Sequence, residues 1–181
     1  ILEMDNCSRL NDLIREGKSR DIILLSEALH EKKLAKIADE IYRRNKVIKI
    51  VSIAGPSSSG KTTTANRLSV QLRVNGLKPF LISLDDYFID RERTPVDKNG
   101  MHDFESISAI NVKLFNENLD ELLKGHEVEL PTYDFKTGRS MKSGRKLTLP
   151  ENGVVVVEGI HGLNPDLYFN VPNQKIYRIY V

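Results

Sequence analysis

The hydrophobic positions begin in helical rhythm. In "SRLNDLIREG", Leu10, Leu13 and Ile14 share one face, Ser8 stands where an N-cap belongs, and Gly17 can close the end. In "SRDIILLSEALHEKKLAKIADEIYRRN", Leu34, Ile37, Ala38 and Ile41 recur every three or four positions, which predicts an amphipathic helix. The opposite side, Glu31, Lys32, Lys33, Lys36, Glu40, Arg43 and Arg44, reads as a solvated face. The rhythm then changes. "VIKIVSIA" (47–54) is nearly continuous in apolar and β-branched residues, as a strand covered on both faces is. A third helical pattern follows, with Ala65, Leu68 and Leu72 on one side and Asn75-Gly76 as a left-handed stop. "KPFLISL" (78–84) predicts a second strand, with Pro79 near its start, where a missing N–H does least harm.

The stretch "DDYFIDRERTPVDKNGMHDFES" is polar and irregular, with turn signals at Pro95 and Asn99-Gly100. Connections of this length are commonly functional loops or mobile ones. "SAINVKLFNENLDELLKG" predicts a helix ending at Gly125. "VELPTYDFKTGRSMKSGRKLTLP" alternates and carries two Gly-containing turns, which predicts short antiparallel strands. "GVVVVEGI" is the clearest buried strand, and "QKIYRIYV" is another. There are no internal repeats and no low-complexity segments. Strands alternating with helices in this order imply an α/β domain built on a parallel sheet.

Composition narrows the partners. At 181 residues and 40% hydrophobic, the chain fits one domain with a core of its own. Its 27 basic and 25 acidic residues nearly balance, which argues against nucleic acid as a partner. No apolar stretch approaches the roughly 20 residues that span a bilayer, so no membrane partner is expected. The single cysteine, Cys7, excludes an intrachain disulfide and a Cys-based zinc site, and it fits a reducing compartment such as the cytoplasm. The start lacks the basic-then-apolar pattern of a signal peptide. It also lacks a first-position Met, so the chain is expected to be a piece of something longer.

The densest chemistry lies between the first strand and the helix after it. Gly55-Pro56-Ser57-Ser58-Ser59-Gly60-Lys61-Thr62 fits the phosphate-binding pattern G-x-x-x-x-G-K-[ST]. Glycine and serine let successive backbone N–H groups converge on phosphate oxygens, and the helix N-terminus adds partial positive charge. Lys61 would reach the β- and γ-phosphates, and the Thr62 hydroxyl would ligate Mg²⁺. Gly55, Ser57, Ser58, Ser59, Gly60 and Thr63 complete the expected nucleotide-binding set. The plain alternative is a flexible Ser-rich turn with a surface lysine.

Such a loop needs an acid on the metal side at a neighbouring strand's end. Glu158, directly after four valines, is the candidate; a solvated strand-end glutamate is the alternative. Asp85 and Asp86 close the second strand, at the edge where open parallel sheets collect ligands. Either can serve as general base toward an attacking hydroxyl, or the pair can be an ordinary turn. Among the histidines, His30 reads as surface and His126 as loop. His102 and His161 are candidates for substrate contact, and no metal-ligand spacing links the four.

"GPSSSGKTT", "SLDDYF", "LPTYDF" and "VVVVEGIHGL" resemble, in order and spacing, the uridine kinase family, within the group that holds phosphoribulokinase and pantothenate kinase. The resemblance covers about residues 47 to 181. "NGLKPFLISLDDYF" and "EGIHGLNP" look most like a bacterial branch in which a region similar to part of threonyl-tRNA synthetase precedes the kinase. The resemblance implies a P-loop kinase domain over 46–181 with a small antiparallel hairpin insertion. It implies that 1–45 is a helical segment left from, or linking to, a longer chain. It implies ATP with Mg²⁺, and a small-molecule acceptor phosphorylated at a nucleoside 5′-hydroxyl, with uridine or cytidine first.

By position, Asp85 matches the family's base, with Lys61 as its catalytic partner at the phosphates. Tyr87 and Phe88 match the two aromatics after that acid, in the order Tyr then Phe. Tyr133 and Phe135 match hairpin aromatics of the nucleoside site, and Glu158 matches the metal-associated acid. Three departures follow. The family's base-contacting histidine, three residues past the hairpin Phe, is here Gly138. Its Asp-His-Pro segment aligns with Glu105-Ser106-Ile107, so Glu105 replaces a ribose-binding aspartate. A basic lid helix follows the "IYRIYV" strand in the family and is not within these 181 residues, which are therefore expected to bind nucleotide but transfer phosphate slowly or not at all. Two rivals stay open. One is a kinase for another acceptor, such as a sugar phosphate or a different nucleoside. The other is a nucleotide-binding regulatory module without acceptor chemistry. Homo-oligomeric assembly is also left open.

Overall fold

The computed structural model describes residues 6–181, so the first five residues of the 1–45 segment lie outside the described residues. The chain runs α1 (Cys7–Arg15), α2 (Ser19–Arg43), β1 (Ile50–Ala54), α3 (Lys61–Val74), β2 (Lys78–Ser83), α4 (Val112–Leu123), β3 (Val128–Asp134), β4 (Arg139–Leu147), β5 (Gly153–Glu158) and β6 (Ile176–Tyr180). Four strands form a parallel sheet in the order β2-β5-β1-β6, while β3 and β4 form a separate antiparallel hairpin. This is the expected α/β arrangement of a P-loop kinase, with its hairpin insertion and helical start.

The valine run of β5 shows why the sheet needs two covers. Side chains alternate along a strand, so Val154 and Val156 turn to one face and Val155 and Val157 to the other. The first pair packs with Leu34, Ala38 and Ile41 of α2 and with Ala65, Leu68 and Leu72 of α3. The second pair packs with Phe115, Leu119 and Leu122 of α4 and with the hairpin's Leu130 and Tyr133. Every residue of β5 is buried, as a strand covered on both faces must be.

Several local expectations are corrected. Asn6, not Ser8, caps α1, its side chain accepting from Arg9 N–H at 2.9 Å. β1 starts at Ile50 rather than at 47, because the Val47 and Ile48 N–H groups still bond back to the Arg44 carbonyl. α4 starts at Val112 under an Asn111 cap, after a separate 3-10 turn over Ile107–Ala109. The hairpin has one reversal, at Gly138 (φ +70), whereas Gly144 (φ +71) lies inside β4, where the pairing slips between Glu129 and Pro131. No helix among the described residues is long and apolar enough to cross a membrane.

Candidate active site

The strand order brings three strand ends together. β5 lies between β1 and β2, so Glu158 stands in register with Ile53 on one side and Ser83 on the other. The Gly55–Thr62 loop leaves β1, Asp85 follows β2, and Glu158 closes β5. All three therefore sit at the carboxyl edge of one sheet, where open α/β sheets hold ligands.

The loop from Gly55 to Gly60 is tightly wound. Ser58 has φ +60 and Gly60 φ +92. A left-handed conformation costs a residue with a Cβ about 1–2 kcal/mol, the kind of strain that collects at functional turns. Gly55 is required by close approach, since a Cβ there would run into the Val181 carbonyl and the Ser59 hydroxyl. α3 starts from Gly60 with no side-chain cap, which leaves its first-turn N–H groups for an anion. The buried Ser59 Oγ has no hydrogen-bond partner. Lys61 Nζ donates to the Pro56 carbonyl at 2.7 Å, folded across the loop it would share with a phosphate.

A cavity of about 470 Å³ opens beside this loop. Ser57, Ser58, Lys61 and Thr62 line it together with Asp85, Glu158, Glu105 and the rings of Phe88, Tyr133 and Phe135. Burial pushes the Asp85 carboxyl above its ordinary range; the Glu158 charge adds to this, and Lys61 opposes it. Glu158 is only 8% exposed and accepts from the Ser83 hydroxyl at 2.8 Å. The same hydroxyl receives the Asp85 N–H at 3.4 Å, so one serine connects both acids.

The structure separates residues that the sequence leaves paired. Asp85 lines the cavity, whereas Asp86 accepts from Thr132 Oγ1 at 3.2 Å and ties the turn to β3. Phe88 lines the cavity, but Tyr87, expected there too, does not. It is 1% exposed in the core, edge-on to Phe115 at 5.2 Å, with its hydroxyl taken by Asn118 Nδ2 at 3.1 Å and pushed up to about 12. The cause is the 3-10 turn over Leu84–Tyr87, which sends successive side chains in different directions. His161 also falls outside the cavity lining. It packs against the backbone of Ser106 and Glu105, and burial holds its imidazole below its usual value. Gly55, Ser59 and Gly60 of the loop and Thr63 in the first turn of α3 do not line the cavity.

Three lining side chains escape the sequence reading: Arg91, Phe104 and Ile160. Phe104 had a signal, as an aromatic in an otherwise polar stretch. It completes an aromatic wall with Phe88 at 5.7 Å, while Tyr133 and Phe135 meet edge-on at 5.0 Å. Arg91 had none, yet it accounts for Gly138. A Cβ at Gly138 would lie 2.9 Å from Arg91 Cβ, Nε and Cζ, so a side chain at that turn has no room.

The model of the Phosphoribulokinase / Uridine kinase family matches residues 50–178. A uridine kinase of Staphylococcus haemolyticus is 32% identical over 128 residues, covering 71% of this chain and 60% of that protein. A uridine kinase of Halobacterium salinarum is 29% identical over 127 residues, covering 70% of this chain and 54% of that one. The chain thus spans 60% or less of the length of these two curated relatives. Among solved structures, one from Bacillus stearothermophilus described as a "Possible Uridine Kinase" superposes with a TM-score of 0.60 at 23% identity, over 82% of this chain and 80% of that one. The Gly55–Thr62 loop at the end of β1, Asp85 just after β2 and Glu158 at the end of β5 all fall within the family match, and the chain belongs to the Phosphoribulokinase / Uridine kinase family.

Proposed function

We propose that the protein transfers the γ-phosphoryl group of ATP to the 5′-hydroxyl of a nucleoside, with uridine or cytidine as acceptor. The observation that carries this is a single cavity lined both by the phosphate loop and by an aromatic wall, with Asp85 and Glu158 on the same surface. Phosphoryl transfer asks a protein mainly to position reactants and offset charge. The uncapped first turn of α3 and Lys61 suit the phosphates, and Lys61 would exchange the Pro56 carbonyl for a phosphate oxygen.

The donor set fits Mg²⁺, a hard cation that takes few protein oxygens and keeps phosphate and water in its shell. Thr62 and Glu158 offer such oxygens in the cavity, and no three His, Cys, Asp or Glu side chains cluster as a metal cage among the described residues. Thr62 and Glu158 would hold the ion, which would supply positive charge against the phosphates. Ser83 holds Glu158 in place on that side. Asp85, its affinity for a proton raised by burial, would orient the acceptor hydroxyl and take its proton.

The acceptor side favours a flat, largely uncharged ring. Four aromatic side chains line it, and the cavity's two cations, Lys61 and Arg91, are matched against Asp85, Glu105 and Glu158. A sugar phosphate would need further cations. A purely regulatory nucleotide switch would need no aromatic wall. The relatives named uridine kinase support the same choice of acceptor. The test is Lys61→Ala in the full-length protein, assayed with labelled ATP and uridine. Transfer should be abolished while the fold is retained; unchanged turnover refutes the assignment. Nucleotide binding without phosphorylation of any acceptor would favour the switch.

A further inference from the structure

Arg91 lines the cavity and is held against the hairpin reversal through both its backbone and its side chain. It lies in the short turn Arg91–Arg93, which docks on the hairpin reversal. The Arg91 N–H donates to the Gly138 carbonyl at 2.8 Å, and Asp90 Oδ1 accepts from the Ser140 N–H at 2.9 Å. The side chain then crosses the reversal, where Gly138 leaves it space, and Nη2 donates to the Phe135 carbonyl at 2.6 Å. The guanidinium is thereby tied to the Phe135 backbone, and both residues line the cavity.

A guanidinium carries five N–H donors in a rigid plane. One is used on the Phe135 carbonyl. Holding this group costs side-chain entropy, and a plain staple between two loops would be served by the backbone bonds already present. What the arrangement adds is a planar cationic donor in the same cavity as rings suited to stacking on a flat heterocycle. Aromatic surfaces tolerate any ring, whereas a donor that must be satisfied discriminates strongly between analogues.

Building on the nucleoside reading above, we propose that Arg91 is the specificity-determining residue of the acceptor site, donating to a ring carbonyl oxygen of the base. The acceptors it selects are nucleosides whose base presents a carbonyl, as uracil and cytosine do. A base without an oxygen at the contacted position leaves the donor unpaired and is rejected. The phosphate loop and Asp85 are untouched by this contact, so it acts on acceptor affinity rather than on the transfer step.

The test uses the full-length protein with ATP and three acceptors: uridine and the two pyrimidinone ribosides that each lack one of uracil's ring oxygens. Arg91→Met keeps the aliphatic packing and removes the donors, Arg91→Lys keeps the charge without the planar fork, and the exposed Arg93→Ala is the control. The native protein should disfavour one of the two pyrimidinone ribosides by about 10-fold or more in kcat/KM, as expected for losing a hydrogen bond to a charged group. Arg91→Met should raise KM for uridine by a similar factor, leave KM for ATP unchanged, and abolish the discrimination. Arg91→Lys should recover part of it, and Arg93→Ala should behave as native. If Arg91→Met discriminates as the native protein does, Arg91 is only a loop staple and the inference is overturned. If the native protein phosphorylates no nucleoside at all, the nucleoside reading falls first and this inference with it, so the two failures are distinguishable.

Discussion

Ser83→Ala isolates the contact that joins the two acids. The Ser83 hydroxyl donates to Glu158 Oε1 at 2.8 Å and accepts the Asp85 N–H at 3.4 Å. A hydrogen bond to a charged group is worth about 1.5–3 kcal/mol, and an unpaired buried acceptor adds a desolvation penalty. Glu158 is 8% exposed but borders the cavity, where water can replace the lost donor. The Asp85 contact is long and adds little. The expected loss is therefore near the lower end, about 1–2 kcal/mol. At roughly 2–4 °C per kcal/mol for a chain of this size, that is a fall in Tm of about 2–8 °C. The assay is urea unfolding at neutral pH, where the midpoint should drop without a change in slope. Turnover should fall too, because Glu158 loses its fixed orientation. Ser83→Thr keeps the hydroxyl and should behave nearly as native. An unchanged midpoint in Ser83→Ala, or an equal fall in Ser83→Thr, would mean that the Ser83 hydroxyl does not hold Glu158.

Two more outcomes follow from the same geometry. Gly138→Ala forces a Cβ into a left-handed position, at about 1–2 kcal/mol, and into the Arg91 side chain; calorimetry should show a lower Tm, and steady-state kinetics should show acceptor KM rising more than KM for ATP. Burial lowers the pKa of His161 from 6.5, so the fold holds the neutral ring, and the stability this brings is present above pH 6.5 and lost as pH falls through the lowered value. Urea midpoints on either side of pH 6.5 should therefore drop toward acid less steeply in His161→Gln than in the native protein; equal slopes would contradict the assignment.

The local patterns were legible where one residue's chemistry decides. The amphipathic stripe of α2, the valines of β5 and the Gly76 stop of α3 all read directly, because burial on a given period leaves a visible trace. Strand order did not read, because β5 enters between β1 and β2 through pairing that is remote in sequence. This insertion is what sets Glu158 beside Ser83. Side-chain direction within an irregular turn was equally hidden. Asp85 and Asp86, and Tyr87 and Phe88, are chemically alike neighbours, and only the 3-10 geometry sends one of each pair to the cavity. Gly138 looked like a missing contact. In three dimensions it is the vacancy that Arg91 fills, a compensation spread over residues 47 apart that no short motif can carry.

In the proposed reaction the phosphate loop and the aromatic wall hold the two reactants of one transfer. Incubating the full-length protein with γ-labelled ATP and Mg²⁺ against a panel of nucleosides, sugar phosphates and other hydroxyl acceptors tests it most directly. Label is expected in a nucleoside 5′-monophosphate, strongest for uridine or cytidine and lost in Asp85→Asn. Label in a sugar bisphosphate instead, or ATP binding with no labelled acceptor, would contradict it.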